Sequence, residues 1–160
     1  MLHLTAPKNN RGFTLIENLI ILVILGVLTA ITVPSIVGVY NRQQLNYSVN
    51  LVRGALQEAQ REAMRQGKQC SVEIKSTMLT SPDGCLLSNR ELPSVVTIYP
   101  PTTAQFGIRG NFQLKSSPSS NLVISLEAEN VNEKQCVEVS YPLGMIRTGI
   151  YKNDECQKKP

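Results

Sequence analysis

The stretch Arg11–Glu17 reads RGFTLIE, and it opens an apolar run that continues to Tyr40. Between Phe13 and Tyr40 the only charge is Glu17. A carboxylate near the middle of a membrane helix is disfavoured by about 2.5–3.5 kcal/mol on insertion scales, so such a residue usually has a task. Three readings compete. Glu17 sits among headgroups at little cost, or the run is a buried helix of a soluble domain, or the acid has a partner that the run itself does not contain.

The length of the run favours a membrane. At 1.5 Å per residue, about 20 apolar residues cross the hydrocarbon core. The preceding segment, MLHLTAPKNNRG, is short and carries Lys8 and Arg11. Positive charge ahead of a span holds that end in the cytoplasm and sends the rest of the chain outward. An ordinary secretory signal has a shorter apolar core that ends at a small-residue cleavage site. Here Thr29-Ala30 lies inside the run without ending it. A plain single-pass anchor is the competing assignment on composition.

Behind the run the pattern becomes periodic. Leu45, Val49, Val52, Leu56, Ala59 and Ala63 recur at spacings of three and four, one stripe of a helix. Gly67 follows Gln66 as a C-terminal stop. The pattern predicts one helix from Phe13 to Gln66, with Pro34 and Gly38 kinking or loosening its middle. Three heptads are few for a coiled coil, so the stripe is expected to pack against the rest of the same chain.

GFTLIE, with Gly12 before Phe13 and a glutamate five residues into the shortened chain, resembles the class III signal of type IV pilins and type II secretion pseudopilins. The resemblance implies that a prepilin peptidase cuts between Gly12 and Phe13 and methylates the new amino terminus. Gly26 and Pro34 match the glycine and the helix-breaking proline of that family's apolar segment, and Asn18 departs from its usual apolar residue. It also implies a task for Glu17, which would neutralise the free Phe13 amine of a neighbouring subunit. An ammonium and a carboxylate are each costly to bury alone and much less so as a pair.

Composition narrows the chemistry. The 160 residues carry a net charge of +4, and loss of residues 1–12 with Lys8 and Arg11 leaves +2, too little to argue for nucleic acid from charge alone. The only histidine, His3, lies in the same leader, so a trimmed chain has no histidine for a nucleophile or a metal. No paired-carboxylate pattern and no glycine-rich phosphate loop appears. The sequence predicts no enzyme, no cofactor and no metal site. Cys70, Cys85, Cys136 and Cys156 form no CxxC knuckle. An even count after a membrane-targeting segment points to disulfides in an oxidising compartment. Of the three connectivities, Cys70–Cys85 with Cys136–Cys156 closes the two shortest loops, and a loop of about 15 residues gains about 3 kcal/mol in the chain-entropy model.

Residues 70–151 read as short strands: Cys70–Thr77, the segment CLLSNRELP, Ser94–Pro100, two strands within Ala104–Leu114 bent at Gly110, Leu122–Ala128 and Lys134–Pro142 as a hairpin, and Gly144–Tyr151 as the last. SPDG (Ser81–Gly84) is a turn and KSSPSSN a loop. The expected fold is α+β: a long N-terminal helix, half membrane-spanning and half amphipathic, packed on a small antiparallel sheet or sandwich, the pilin fold. Its divisions are a leader at 1–12, a filament-core helix at 13–40, an amphipathic helix at 41–67 and a β-rich domain at 68–160.

This outer region resembles, more loosely, the FimT/GspH group of minor pilins and pseudopilins, through EAQREAMRQGKQCSVEI, FGIRGNF and SYPLGMIRTG. Some members of that group carry a glycine-arginine-any-arginine motif linked to DNA binding. Here Gly144-Met145-Ile146-Arg147 retains only the second arginine, with Lys152, Lys158 and Lys159 nearby and Tyr151 as the one adjacent aromatic. The resemblance implies a minor pilin that helps start or cap a type IV pilus. Its partners would be the peptidase, other pilins, the inner membrane before assembly and, on one alternative, DNA. The other alternative is a pseudopilin of a type II secretion system. Either would sit in the inner membrane, with its C-terminal domain outside the cytoplasm, until drawn into a filament.

Overall fold

Thr14 starts the helix. Its hydroxyl accepts a hydrogen bond from the Glu17 amide at 3.4 Å, and its carbonyl accepts from Glu17 and Asn18 at 3.1 and 3.2 Å. These are orphan donors that a helix N-terminus must satisfy. The computed structural model describes residues 14–117 and 119–158, with the side chains of residues 30–35 outside the description. Helix α1 spans Leu15–Gln66, continuous in its backbone through position 34. The kink expected of Pro34 falls on a residue whose side chain lies outside the described ones. Gly67, at φ 61°, ends the helix in the left-handed conformation that glycine adopts without strain.

The chain divides into two compact units, one up to Ile36 and one from Val37 onward. In the first, every described side chain is exposed, including Leu15, Leu22 and Leu28. Among the described residues no helix is long and apolar enough to cross a membrane. The span expected over 13–40 takes in Phe13 and the side chains of 30–35, which lie outside them.

The second unit is α+β. Among the described residues, ten strands follow α1: β1 (Cys70–Ile74), β2 (Met78–Thr80), β3 (Arg90–Glu91), β4 (Val96–Tyr99), β5 (Thr102–Phe106), β6 (Phe112–Leu114), β7 (Leu122–Ala128), β8 (Gln135–Ser140), β9 (Met145–Lys152) and β10 (Glu155–Lys158). They form two antiparallel five-stranded sheets, ordered β3-β2-β1-β5-β6 and β10-β9-β8-β7-β4. The stripe Leu45, Val49, Val52, Leu56, Ala59 and Ala63 is buried with Val72, Ile74, Phe106 and Phe112 of the first sheet and Ile98, Ile124, Leu126, Val137 and Val139 of the second. Each large side chain so buried contributes about 1.5–3 kcal/mol relative to exposure.

Polar pins fix the register of helix on sheets. The Gln60 amide donates to the Gly110 carbonyl at 2.9 Å and the Gly144 carbonyl at 3.0 Å, tying α1 to one turn of each sheet. The Phe112 amide donates to the Pro142 carbonyl at 2.9 Å and joins the same two turns. Near the start of the unit, Asn41, 4% exposed, donates to the Glu129 carbonyl at 2.7 Å, and Gln135 donates to Asn46 at 2.7 Å.

Several strand boundaries differ from the expectation: the strand expected over Cys70–Thr77 ends at Ile74, and Met78–Thr80 forms a strand that was not expected. CLLSNRELP yields only the two-residue β3, because Cys85 and Leu86 are buried from a loop instead. The bend expected at Gly110 occupies Gly107–Asn111, where the Gly107 amide donates to the Asn111 carbonyl at 2.8 Å. The strand before it begins at Thr102. Strand β9 is not the last: Asn153 and Asp154, at φ 52° and 62°, turn the chain back into β10. Two consecutive positive φ angles are the signature of a type I′ hairpin turn.

Candidate functional site

Two places hold the residues singled out from sequence. The first is the start of α1. Gly12 and Phe13, the expected cleavage pair, lie outside the described residues. Glu17 is exposed, and its carboxylate forms no ion pair among the described residues. It occupies the third position of the helix behind the Thr14 cap, so Thr14-Leu15-Ile16-Glu17 has the spacing of a capping box. A negative charge there also favours the helix dipole. The Thr-x-x-Glu pattern was visible in the sequence and gives Glu17 a local role beside any role between subunits.

Around Glu17 the surface is apolar. Leu15 is 84% exposed, Leu22 68% and Val27 58%, with no stripe of burial. Such a continuous apolar face marks an interaction surface for lipid or protein.

The second place is the end of the chain. Arg147 and Lys158 line one cavity of about 600 Å³, together with Arg53 of α1 and the single carboxylate Glu138. Arg53 was invisible from sequence reasoning because it lies on a helix far upstream in the chain. Lys152 is set apart. It stands opposite Glu155 in the β9–β10 ladder, on the other face from Arg147. Lys159 lies outside the described residues. Gly144, the glycine of the motif compared above, is a turn residue at φ 69°, and a side chain on it would meet the Gly110 carbonyl at 2.5 Å. Tyr151 donates to Asp154 at 3.2 Å, and burial first, then that bond, raise its pKa.

Cys70 is bonded to Cys85 and Cys136 to Cys156. The second bond makes an unusual strap. Strands two apart in a flat sheet are separated by about 9.5 Å, yet the Cα atoms of Cys136 on β8 and Cys156 on β10 are 5.7 Å apart with β9 between them in the sheet. The last strand therefore folds over β9. It passes above Gly149, where an added Cβ would stand 2.1 Å from the Gln157 carbonyl oxygen and 3.3 Å from the Cys156 sulfur. This strap buries Cys136, although Cys136 is not part of the central core.

A third cluster is structural. Glu58 accepts from the Leu87 amide at 2.7 Å and from Arg90 at 2.9 Å, which seats the loop before β3 on α1. Burial alone would raise its pKa, but the Leu87 and Arg90 hydrogen bonds and the charges of Arg90 and Arg61 together lower it. Among the described residues no group of three His, Cys, Asp or Glu is placed to hold a metal ion.

Residues 7–33 match the prokaryotic N-terminal methylation motif. The match supports a type IV pilin or pseudopilin, proteins that are structural and not enzymatic, and it covers the second half of the expected leader, the Gly12–Phe13 junction and most of the apolar run. Comparison with curated proteins and with solved structures gives no significant match.

Proposed function

We propose that the chain is a minor pilin of a type IV pilus, cut after Gly12, methylated on Phe13 and drawn from the inner membrane into a filament that it helps to start or cap. The observation that carries this reading is the methylation motif over 7–33, which falls on a helix whose large apolar side chains from Leu15 to Leu28 are exposed. A β-rich unit with its own core and two disulfides is suited to the oxidising side of the membrane. Residues 13–40 act as the anchor and filament-core segment, 41–67 as the helix that carries the outer domain 68–160. The partners are a prepilin peptidase and other pilin-like subunits, and no cofactor or catalytic step is involved.

The carboxylate of Glu17 serves assembly by meeting the Phe13 amine of a neighbouring subunit. Mass spectrometry of the mature protein tests the processing: methylated Phe13 is the expected first residue, and retention of Met1 overturns the reading. Glu17→Ala is expected to be trimmed normally and to enter filaments poorly. Glu17→Gln keeps the capping-box geometry but not the charge, so a Gln variant that assembles like the wild type removes the ion pair from the account.

The same motif fits a pseudopilin of a type II secretion system, and neighbouring genes for a pilus or for a secretion apparatus separate the two. A DNA-binding pilin is a further reading, favoured only by the meeting of Arg147 with Lys158 and Arg53. Titration with duplex DNA at several salt concentrations tests it, because phosphate contacts weaken steeply with salt.

A further inference from the structure

The two disulfides differ in their surroundings. Cys70 and Cys85 are both buried in the central core. Cys136 is buried beneath the strap, whereas Cys156, on the strap itself, is only half-buried. Cys156 also lines the cavity of about 600 Å³. Thiol–disulfide exchange needs a thiolate to reach one of the two bonded sulfurs. Of the four cysteines, Cys156 alone is open to such an approach.

The charge of the cavity decides which thiol it favours. Arg53, Arg147 and Lys158 line it against a single carboxylate, Glu138. That carboxylate accepts a hydrogen bond from the Asn121 amide at 3.2 Å. None of the three cations forms an ion pair among the described residues. A cleft lined by one sign of charge concentrates ions of the other sign and speeds their arrival. Neighbouring cations also favour a thiolate over its thiol, and the thiolate is the attacking form. The cavity therefore gathers an anionic nucleophile beside the one sulfur that it can reach.

We propose that Cys156 is a site of reversible S-thiolation by a small acidic thiol, a cysteine-containing molecule with free carboxylates. The carboxylates of this thiol pair with Arg53, Arg147 and Lys158. Its thiolate attacks the Cys156 sulfur. A new disulfide forms between the two, the Cys136–Cys156 bond breaks, and Cys136 leaves as a thiolate that takes a proton from water. The incoming sulfur is oxidised and the Cys136 sulfur is reduced, so no other oxidant or reductant is needed. Strand β10 is then no longer tied to β8 across Gly149, and the strap is free to lift. Attack of Cys136 on the mixed disulfide expels the small thiol and restores the strap. The inference does not rest on a role in a pilus.

The test uses the full oxidised chain in detergent and three thiols compared at equal thiolate concentration. Glutathione carries two carboxylates and one ammonium, 2-mercaptoethanol is uncharged and cysteamine is cationic. Samples quenched in acid are mapped by peptide mass spectrometry. Glutathione is expected to open Cys136–Cys156 faster than cysteamine by about tenfold or more, with 2-mercaptoethanol between them. The glutathione adduct is expected on Cys156, with Cys70–Cys85 intact. Molar salt is expected to narrow the preference, because it screens the cations. Arg147→Glu, at an exposed position, is expected to erase the preference with the melting temperature retained, and Arg147→Lys to keep it. An adduct on Cys136, opening of Cys70–Cys85 at a comparable rate, or equal rates with glutathione and cysteamine each overturns the proposal.

Discussion

The first and second halves of α1 are both helical and both rich in large apolar residues, yet they differ in where those residues go. From Leu15 to Leu28 every large apolar side chain is exposed, whereas Leu45, Val52 and Leu56 are fully buried. The difference lies in pattern, not in hydrophobicity. The first half is apolar all round, which suits surroundings apolar on every side, a bilayer or a bundle of other helices. The second half confines its apolar residues to one stripe, which suits a single partner, the two sheets of the same chain. The pattern of one half suits contacts on every side, and that of the other contacts on one side.

Truncation tests this contrast with the largest expected effect. Leu56→Ala removes a fully buried side chain and is expected to cost about 2–5 kcal/mol. Leu22→Ala, at a position 68% exposed, is expected to change the stability of the outer unit by less than about 0.5 kcal/mol. Chemical denaturation of the full chain in detergent, followed by circular dichroism, measures both. A comparable loss at Leu22 would break the division between the halves.

Glycines sharpen the contrast at the next scale. Gly149 lies beneath the strap, and Gly149→Val drives a side chain into the Gln157 carbonyl, an overpacking expected to cost about 1–3 kcal/mol. Gly26, on the exposed half, has nothing within 4 Å of an added Cβ. Gly26→Ala is therefore expected to leave the outer unit's unfolding midpoint unchanged. Gln60→Leu is expected to cost about 1–3 kcal/mol in the same measurement, because it strips the shared donor from the Gly110 and Gly144 carbonyls.

These pairs also show how far the sequence could be followed. The 45–63 stripe was legible because helical periodicity and burial are the same signal. The apolar run was legible for the converse reason: its apolar residues fall on every side of the helix. The polar pins were not, since nothing in the spacing of Gln60, Gly110 and Gly144 announces that a helix amide bridges two turns. Strand β10 was missed because ECQK shows no apolar alternation. Its signal was Asn153-Asp154, a pair that tolerates positive φ. At the candidate site, Arg147 and Lys158 were legible as basic residues near the end, but only folding brings Arg53 to them and sends Lys152 to the other face.

A smaller gain is expected on the outward face of the second half. Gly54 lies in the helix interior with nothing within 4 Å of an added Cβ, so the fold of the single chain does not require a glycine there. Gly54→Ala is expected to stabilise the outer unit by about 0.5–1 kcal/mol. A loss in the isolated chain would show that this face has a partner within it and would blur the distinction between inward and outward surfaces.

The smallest expected effect separates two glutamates of the second half by their surroundings. The carboxyl of Glu58 is held below 4.5: burial works against this, and the Leu87 and Arg90 hydrogen bonds outweigh it. Glu62 is lowered to about 2 by the hydrogen bond from Arg65, then by that from Gln66, on an exposed part of the helix. For a carboxyl whose folded pKa is depressed, the unfolded chain takes up the proton first as pH falls. The stabilisation is complete above about 4.5, the unfolded value, and is lost as pH falls through the folded one. Both glutamates therefore steepen the acid limb below pH 4.5, but solvent screens an exposed pair strongly. Glu58→Gln is expected to lower stability at pH 7 and to flatten the decline between pH 4.5 and 2.5, while Glu62→Gln leaves the profile nearly unchanged. Unfolding midpoints measured across that range decide the matter, and equal effects from the two substitutions would show that the loop before β3 is not held on α1 by Glu58.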